Sequence, residues 1–314
     1  MDAGILIQVA LLLVGFVFLI KGSDFFVDGA SSIASLLKIP TIIVGLTIVA
    51  LGTSAPEAAV SITSSITGSN AMAVSNVIGS NLFNMLMVIG ISALLSNLLM
   101  EKSVLEKDLP FLVGITLLWA IFIIIGWDIT NIEGIILLII LVAYIALLVY
   151  NTRKSGEATE VEEPKFTLPK SIIFILVGLA GIVLGGDLVV DSASAIAIAL
   201  GMSETLVGLT IVAIGTSLPE LVTSITALRK GENQLVIGNV IGSNIFNILF
   251  VLGASSAISA IPLDSSMLID VLFMLAVTVL CFIFGKTQEK YDKKEGVILI
   301  VLFVVYMAFA ILRN

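Results

Sequence analysis

The chain has no histidine and a single cysteine among its 314 residues. Without histidine there is no imidazole ligand for zinc or copper, no histidine-based nucleophile relay and no histidine proton shuttle. The one cysteine, Cys281, excludes an internal disulfide framework, and its apolar surroundings make a buried, inert thiol the expected state. Charge is scarce as well: Asp, Glu, Lys and Arg together make up 12% of the residues, clustered in short breaks between long apolar runs. There is no Gly-rich phosphate loop and no basic stripe interleaved with aromatics, so nucleotide hydrolysis and nucleic-acid binding have no support. Any chemistry here must rest on oxygen ligands.

What is present is apolar. Hydrophobic residues reach 59% and the mean hydropathy is +1.19, beyond the soluble range in which about half the residues are apolar. These values describe a polytopic α-helical membrane protein. Residues 5–20 could pass for a secretory signal, but Met1-Asp2-Ala3-Gly4 is not a basic n-region and no small-residue cleavage site follows. They are expected to begin the first spanning helix. The net charge of −8 says little about partners, because the position of a charge relative to the bilayer matters more than the sum.

Two stretches nearly repeat: GLTIVALGTSAPE at 45–57 and GLTIVAIGTSLPE at 208–220. One shift aligns them, since 220 − 57 = 163 for the glutamates and 247 − 84 = 163 for Asn84 and Asn247; Asp24/Asp187 and Asp28/Asp191 share it. Over the 47 positions 44–90, 28 are identical to their partners 163 residues on. Such self-similarity marks duplication of a structural unit. Hydrophobic runs predict five helices per half, each near the ~20 residues needed to cross: roughly 4–37, 41–66, 71–96, 109–126 and 132–150, then 170–200, 204–228, 234–260, 267–285 and 295–312. The halves are 1–150 and 171–314, with repeated elements at about 41–96 and 204–259. Residues 151–170, with Glu157, Glu160, Glu162, Glu163 and two prolines, read as a solvent-exposed cytoplasmic linker.

An odd number of crossings per half makes the repeats enter the membrane from opposite sides. With the N-terminus outside, thirteen of the fifteen basic residues fall on the cytoplasmic side, Arg313 falls outside and Lys21 lies within the first helix. The expected fold is therefore an all-α membrane protein of ten transmembrane helices in two inverted five-helix repeats, with both termini outside, an architecture used by secondary transporters.

Glu57 and Glu220 stand in otherwise membrane-grade sequence, where charge is expensive and seldom kept without a use. Pro56 and Pro219 cannot donate to the carbonyls of Gly52 and Gly215, so each helix is expected to bend at Gly52-Thr53 and Gly215-Thr216. Freed carbonyls need a partner, and a bound cation is one. Thr53/Glu57 and Thr216/Glu220 lie four apart on one helix face, with Ser54 and Ser217 alongside. The next helix of each half carries Gly79-Ser80-Asn81-Leu82-Phe83-Asn84, matched by Gly242-Ser243-Asn244-Ile245-Phe246-Asn247. Carboxylate, hydroxyl, amide and backbone oxygens converging from four helices would make a hard-cation site; Ca²⁺ takes about 6–8 oxygens.

Blander roles fit other residues. Most glycines here serve close helix packing. For Ser61, Thr63, Ser224 and Thr226 the expected state is a bond back to their own helix. Asp24, Asp28, Asp187 and Asp191 suit a structural role and an ion-attracting role about equally. Gly185-Gly186-Asp187 is shared with intramembrane aspartyl proteases, but the repeat already accounts for it.

The paired GTSxPE segments, each followed by GSNxFN, resemble the α-repeats of the calcium/cation antiporter superfamily, and within it most of all prokaryotic sodium/calcium exchangers. The resemblance spans nearly the whole chain. It implies an ion site at the centre of four short helices, with Glu57 and Glu220 as main ligands and Thr53 and Thr216 giving backbone oxygens. Ser54, Ser217, Ser80, Ser243, Asn84 and Asn247 would serve flanking sodium sites, capped by the carbonyls of Ala50 and Ala213. It further implies exchange of about three Na⁺ for one Ca²⁺ across the plasma membrane, with the first and sixth helices sliding over the rest. No cofactor, nucleic acid or obligate protein partner is implied, only the two ions and the bilayer. An amide at position 247, where some prokaryotic relatives have aspartate and potassium-dependent ones an acid, argues against potassium coupling. The GTSxPE form favours sodium over protons, and Ala55 in place of the common leucine is a packing change. Proton- or potassium-coupled exchange on the same fold is the alternative, followed by a passive cation channel and an intramembrane enzyme.

Overall fold

The computed structural model describes residues 3–155, 163–202, 211, 213–263 and 265–313. The part of the linker at 156–162 and the start of the predicted 204–228 helix, including 203–210, lie outside the described residues. The helices are α1 (Ala3–Leu37), α2 (Thr41–Thr53), α3 (Ala55–Ile66), α4 (Asn70–Leu95), α5 (Val104–Gly126), α6 (Asn131–Ser155), α7 (Leu168–Ala199), α8 (Ala213–Gly215), α9 (Leu218–Arg229), α10 (Asn233–Ile258), α11 (Ser265–Gln288) and α12 (Lys293–Arg313). Among the described residues eight helices are long and apolar enough to cross a membrane, and α2 with α3, bent by 48° at the break, makes a ninth when the pair is counted as one span.

The bend sits at Ser54 (φ −81°, ψ 7°), one residue nearer the proline than Gly52-Thr53. In the second half the gap between α8 and α9 is Thr216-Ser217, with Ser217 at φ −96°, ψ 4°. The proline ring crowds the turn before it and supplies no N–H, and the strain is released at the residue two before it. The fourth predicted helix also starts earlier, at Val104, because a wide π-type turn over Val104–Asp108 precedes Pro110.

Two antiparallel bridges add four two-residue strands to an otherwise helical fold: β1 (Leu98–Leu99), β2 (Asp128–Ile129), β3 (Ile261–Pro262) and β4 (Lys290–Tyr291). β1 pairs with β4 and β2 with β3, so each bridge ties one half to the other. Even the turns repeat. Gly68 and Gly231, 163 apart, share φ near 80° (80° and 82°), a left-handed conformation that suits a residue without Cβ.

Helices α4 and α10 form the interior: 78% and 94% of their apolar stretches are buried, against 22% for α6 and α12. Each outer helix seats on the inner helix of the other half. A Cβ on Gly134 (α6) would lie 2.7 Å from the carbonyl oxygen of Gly253 (α10), and one on Gly296 (α12) 2.7 Å from that of Gly90 (α4). The partner of Gly134 is Gly296, an offset of 162, so the duplication continues past Gly90 with one residue fewer. The same offset relates Asp108 to Asp270, and it relates the stacked Phe111–Tyr144 to the stacked Phe273–Tyr306.

Helices α1 and α7 run antiparallel as a separate layer. Their seam is a seven-residue series of small residues: Gly15 meets Gly185, Gly22 meets Gly178 and Gly29 meets Ser171. Small residues at that period let two backbones touch along a membrane helix pair. A Cβ on Gly178 would stand 2.5 Å from the Phe26 nitrogen, which leaves no room for any side chain.

Candidate functional site

The breaks in the two halves face each other between α4 and α10. Glu57 opens the first turn of α3 and Glu220 that of α9, both at 0% exposure. Their bonds cross from one half to the other: Ser217 Oγ donates to Glu57 Oε1 (3.0 Å) and Ser54 Oγ to Glu220 Oε1 (3.2 Å). Ser80 Oγ, from α4, also donates to Glu57 Oε1 (3.3 Å).

A second ring lies behind. Asn76 Nδ2 donates to the Glu57 carbonyl (3.2 Å) and to Ser61 Oγ (2.9 Å), while its Oδ1 accepts from Thr216 Oγ1 (3.4 Å). Asn239 does the same in reverse, donating to the Glu220 carbonyl (3.4 Å) and Ser224 Oγ (3.1 Å) and accepting from Thr53 Oγ1 (3.0 Å). Ser61 and Ser224 thus bond to the neighbouring helix rather than back to their own, because an asparagine amide stands opposite each. Thr53 Oγ1 lies 3.4 Å from Ser243 Oγ. The Ala50 carbonyl accepts the Ser54 N–H (3.0 Å), and Ala213 opens α8 at the matching position.

One helical turn further along α4 and α10, Asn84 Nδ2 donates to Asn244 Oδ1 and Asn247 Nδ2 to Asn81 Oδ1, each at 3.2 Å. All four asparagines are buried. Ten of the twelve expected site residues therefore have side chains in these bonds, Ala50 offers its carbonyl within its own helix, and Ala213 is placed only by its position at the start of α8. Reasoning from sequence had not selected Asn76, Asn81, Asn239 and Asn244. Their signal was available, since each is identical to its partner at the offset of 163 and each is polar within an apolar helix.

Four oxygens in this network have no hydrogen-bond partner among the described residues: Glu57 Oε2, Glu220 Oε2, Asn84 Oδ1 and Asn247 Oδ1. They form two pairs related by the repeat. A buried acceptor left unmade costs ~1–3 kcal/mol, more for a charged group. Four acceptors with no donor fit a cation, for which unpaired oxygens are ligands.

The aspartates divide. Lys230, after α9, reaches Asp28 Oδ2 at 2.8 Å and Asp24 Oδ1 at 3.6 Å and donates to the Asp24 carbonyl (2.9 Å); Lys165 lies 3.5 Å from Asp28. These contacts tie Asp24 and Asp28 of α1 to the end of α9. Asp187 and Asp191 are exposed and have no ion pair among the described residues. Cys281 is buried, as expected.

The profile of the family described as sodium/calcium exchanger protein matches residues 7–150 and 170–312. The chain belongs to the sodium/calcium exchanger protein family. Like other members of that family it is a multi-pass membrane antiporter and not an enzyme. Sodium/calcium exchanger MaX1 of Methanosarcina acetivorans is 32% identical over 343 residues, covering 96% of this chain and 98% of that protein. The CaxA protein of Alkalimonas amylolytica is 39% identical over 317 residues, covering 96% and 98%. Among solved structures, the sodium-calcium exchanger NCX_Mj soaked with Na⁺ and Sr²⁺ superposes with a TM-score of 0.86 at 30% identity, covering 97% of this chain and 99% of that one.

Proposed function

We propose that this exchanger moves Ca²⁺ against Na⁺ by alternating access, at about three Na⁺ per Ca²⁺ and hence electrogenically. The observation that carries the reading is the set of four partnerless buried oxygens, two carboxylate and two amide, supplied equally by the two halves. Glu57 and Glu220 give the site a charge near −2 when ionised, which one divalent or two monovalent ions neutralise, so the two cargoes compete for the same oxygens. Ser54, Ser80, Ser217, Ser243, Thr53 and Thr216 supply further oxygens beside them, with the Ala50 and Ala213 carbonyls at the rim.

The topology we infer is ten spans in two inverted repeats, N-terminus outside, in the plasma membrane. The bridges support it. β1 and β4 both fall on the cytoplasmic side in that topology, and β2 and β3 both fall outside. Arg313, the basic residue placed outside, is held by Asp270 through two bonds of 2.7 and 3.0 Å, which compensates its charge at that face.

Sodium is favoured over potassium as the driving ion because position 247 carries an amide and adds no third charge. Calcium uptake into inverted vesicles under imposed Na⁺, K⁺ and pH gradients tests this. Uptake is expected to follow the Na⁺ gradient. Uptake indifferent to Na⁺ but driven by the pH gradient or by K⁺ would overturn the sodium reading.

A further inference from the structure

Asn84 and Asn247 are amides, and an amide has two unlike ends. Turned one way it offers a cation a carbonyl oxygen; turned by a half-rotation it offers an NH₂ that repels one. Shape does not choose between the two, because the ends are nearly the same size. A hydrogen-bond partner must choose. For Asn84 that partner is Asn244 Oδ1 and for Asn247 it is Asn81 Oδ1, each 3.2 Å from the Nδ2 it accepts. Holding Nδ2 in this way leaves Asn84 Oδ1 and Asn247 Oδ1 as the free ends, and those are the two partnerless amide oxygens of the site.

The geometry points to Asn81 and Asn244 as positioning residues: each fixes the amide of the opposite half so that its oxygen, not its NH₂, faces the ion. This rests on the ion-site reading above. Asn81 shows which of its own ends matters, because its Nδ2 has no partner among the described residues while its Oδ1 is bonded. The residues are buried, with exposures of 2% for Asn81, 1% for Asn244 and 0% for Asn84 and Asn247, so water is poorly placed to replace the lost acceptor. The arrangement also crosses the pseudo-twofold relation, so each half sets the ligand of the other.

A plainer role, interhelical glue between α4 and α10, predicts a loss of stability that does not depend on what stands at 247. Equilibrium dialysis with ⁴⁵Ca²⁺ on the purified full-length protein separates the two. Asn81→Ala is expected to weaken Ca²⁺ binding about tenfold, the scale of losing one oriented hydrogen-bond acceptor beside a charge. A carboxylate at 247 offers oxygen in either orientation. In an Asn247→Asp background the same Asn81→Ala change is therefore expected to cost less than about twofold. Asn81→Asp, which keeps the acceptor oxygen and drops the orphaned NH₂, is expected to hold Ca²⁺ within about threefold of the unmodified chain. This last variant decides the matter even if Asn81→Ala does not fold. An equal cost of Asn81→Ala in both backgrounds, no cost in the unmodified chain, or loss of binding in Asn81→Asp would each overturn the orientation role alone. An unmodified chain that binds no Ca²⁺ would overturn the ion-site reading and this inference with it.

Discussion

Glu57 accepts from a serine of the second half and Glu220 from a serine of the first, with Asn76 and Asn239 behind them in matching bonds. A short distance away the match fails. Ala55 and Ala58 in the first half stand where Leu218 and Leu221 stand in the second. The cavity beside Ser54, lined by Phe26, Leu51, Ala55, Ala58 and Phe250, measures about 390 Å³, and its counterpart beside Val190, Ile214 and Leu218 about 220 Å³. Lys230 clamps Asp24 and Asp28, whereas Thr67 holds the equivalent place in the first half, and Asp187 and Asp191 have no ion pair among the described residues. The halves agree at the carboxylates, serines and asparagines of the site and diverge in the side chains just outside it. On the function proposed above, equal chemistry at the centre keeps one ion site common to both access routes, and unequal surroundings let the routes differ.

The largest effects should come from attacking the symmetric part. Glu57→Gln and Glu220→Gln are each expected to lower Na⁺-driven Ca²⁺ uptake by about 100-fold or more, since each removes half the compensating charge from a buried site. Tolerance of one but not the other would break the equivalence. Next comes the α1–α7 seam. Gly178→Leu places carbon against the Phe26 and Gly22 backbones at 2.5–2.7 Å, and thermal melts should show a loss of about 1–3 kcal/mol. Gly186→Ala, whose Cβ meets only Pro219 at 3.6 Å, should melt like the unmodified protein. Lys230→Ala tests the asymmetry itself. The cost should be below ~1 kcal/mol and should vanish in high salt, because the pair is partly solvated. A small effect is also expected of Ala58→Leu, which gives the first half the residue of the second. It should leave stability within about 1 kcal/mol, with the cavity taking up the added volume.

Much of this was legible in the sequence because duplication prints the same residues twice. The offset of 163 exposed Glu57, Glu220 and their serines without any structure, and the prolines announced the broken helices. The exact break at Ser54 was less accessible, because a proline restricts several residues ahead of it and the backbone chooses among them. Ser61 and Ser224 were misread for another reason. A serine in an apolar helix bonds back to its own helix by default, and only the packing of α4 on α3 and of α10 on α9 brings Asn76 and Asn239 within reach. Asn81 and Asn244 were visible as repeated residues, but their use depends on contacts between halves that periodicity along one chain does not encode. The one-residue deletion after Gly90 hid the kinship of Asp108 with Asp270 and of Tyr144 with Tyr306.

The central claim is that both halves build one ion site. Measuring Ca²⁺ binding to the purified protein by equilibrium dialysis, for the unmodified chain and for Glu57→Gln and Glu220→Gln separately, tests it most directly. The account predicts one high-affinity Ca²⁺ per chain, lost in either variant alone. Two bound ions, one of which survives each substitution, would mean that the halves carry separate sites and would contradict it.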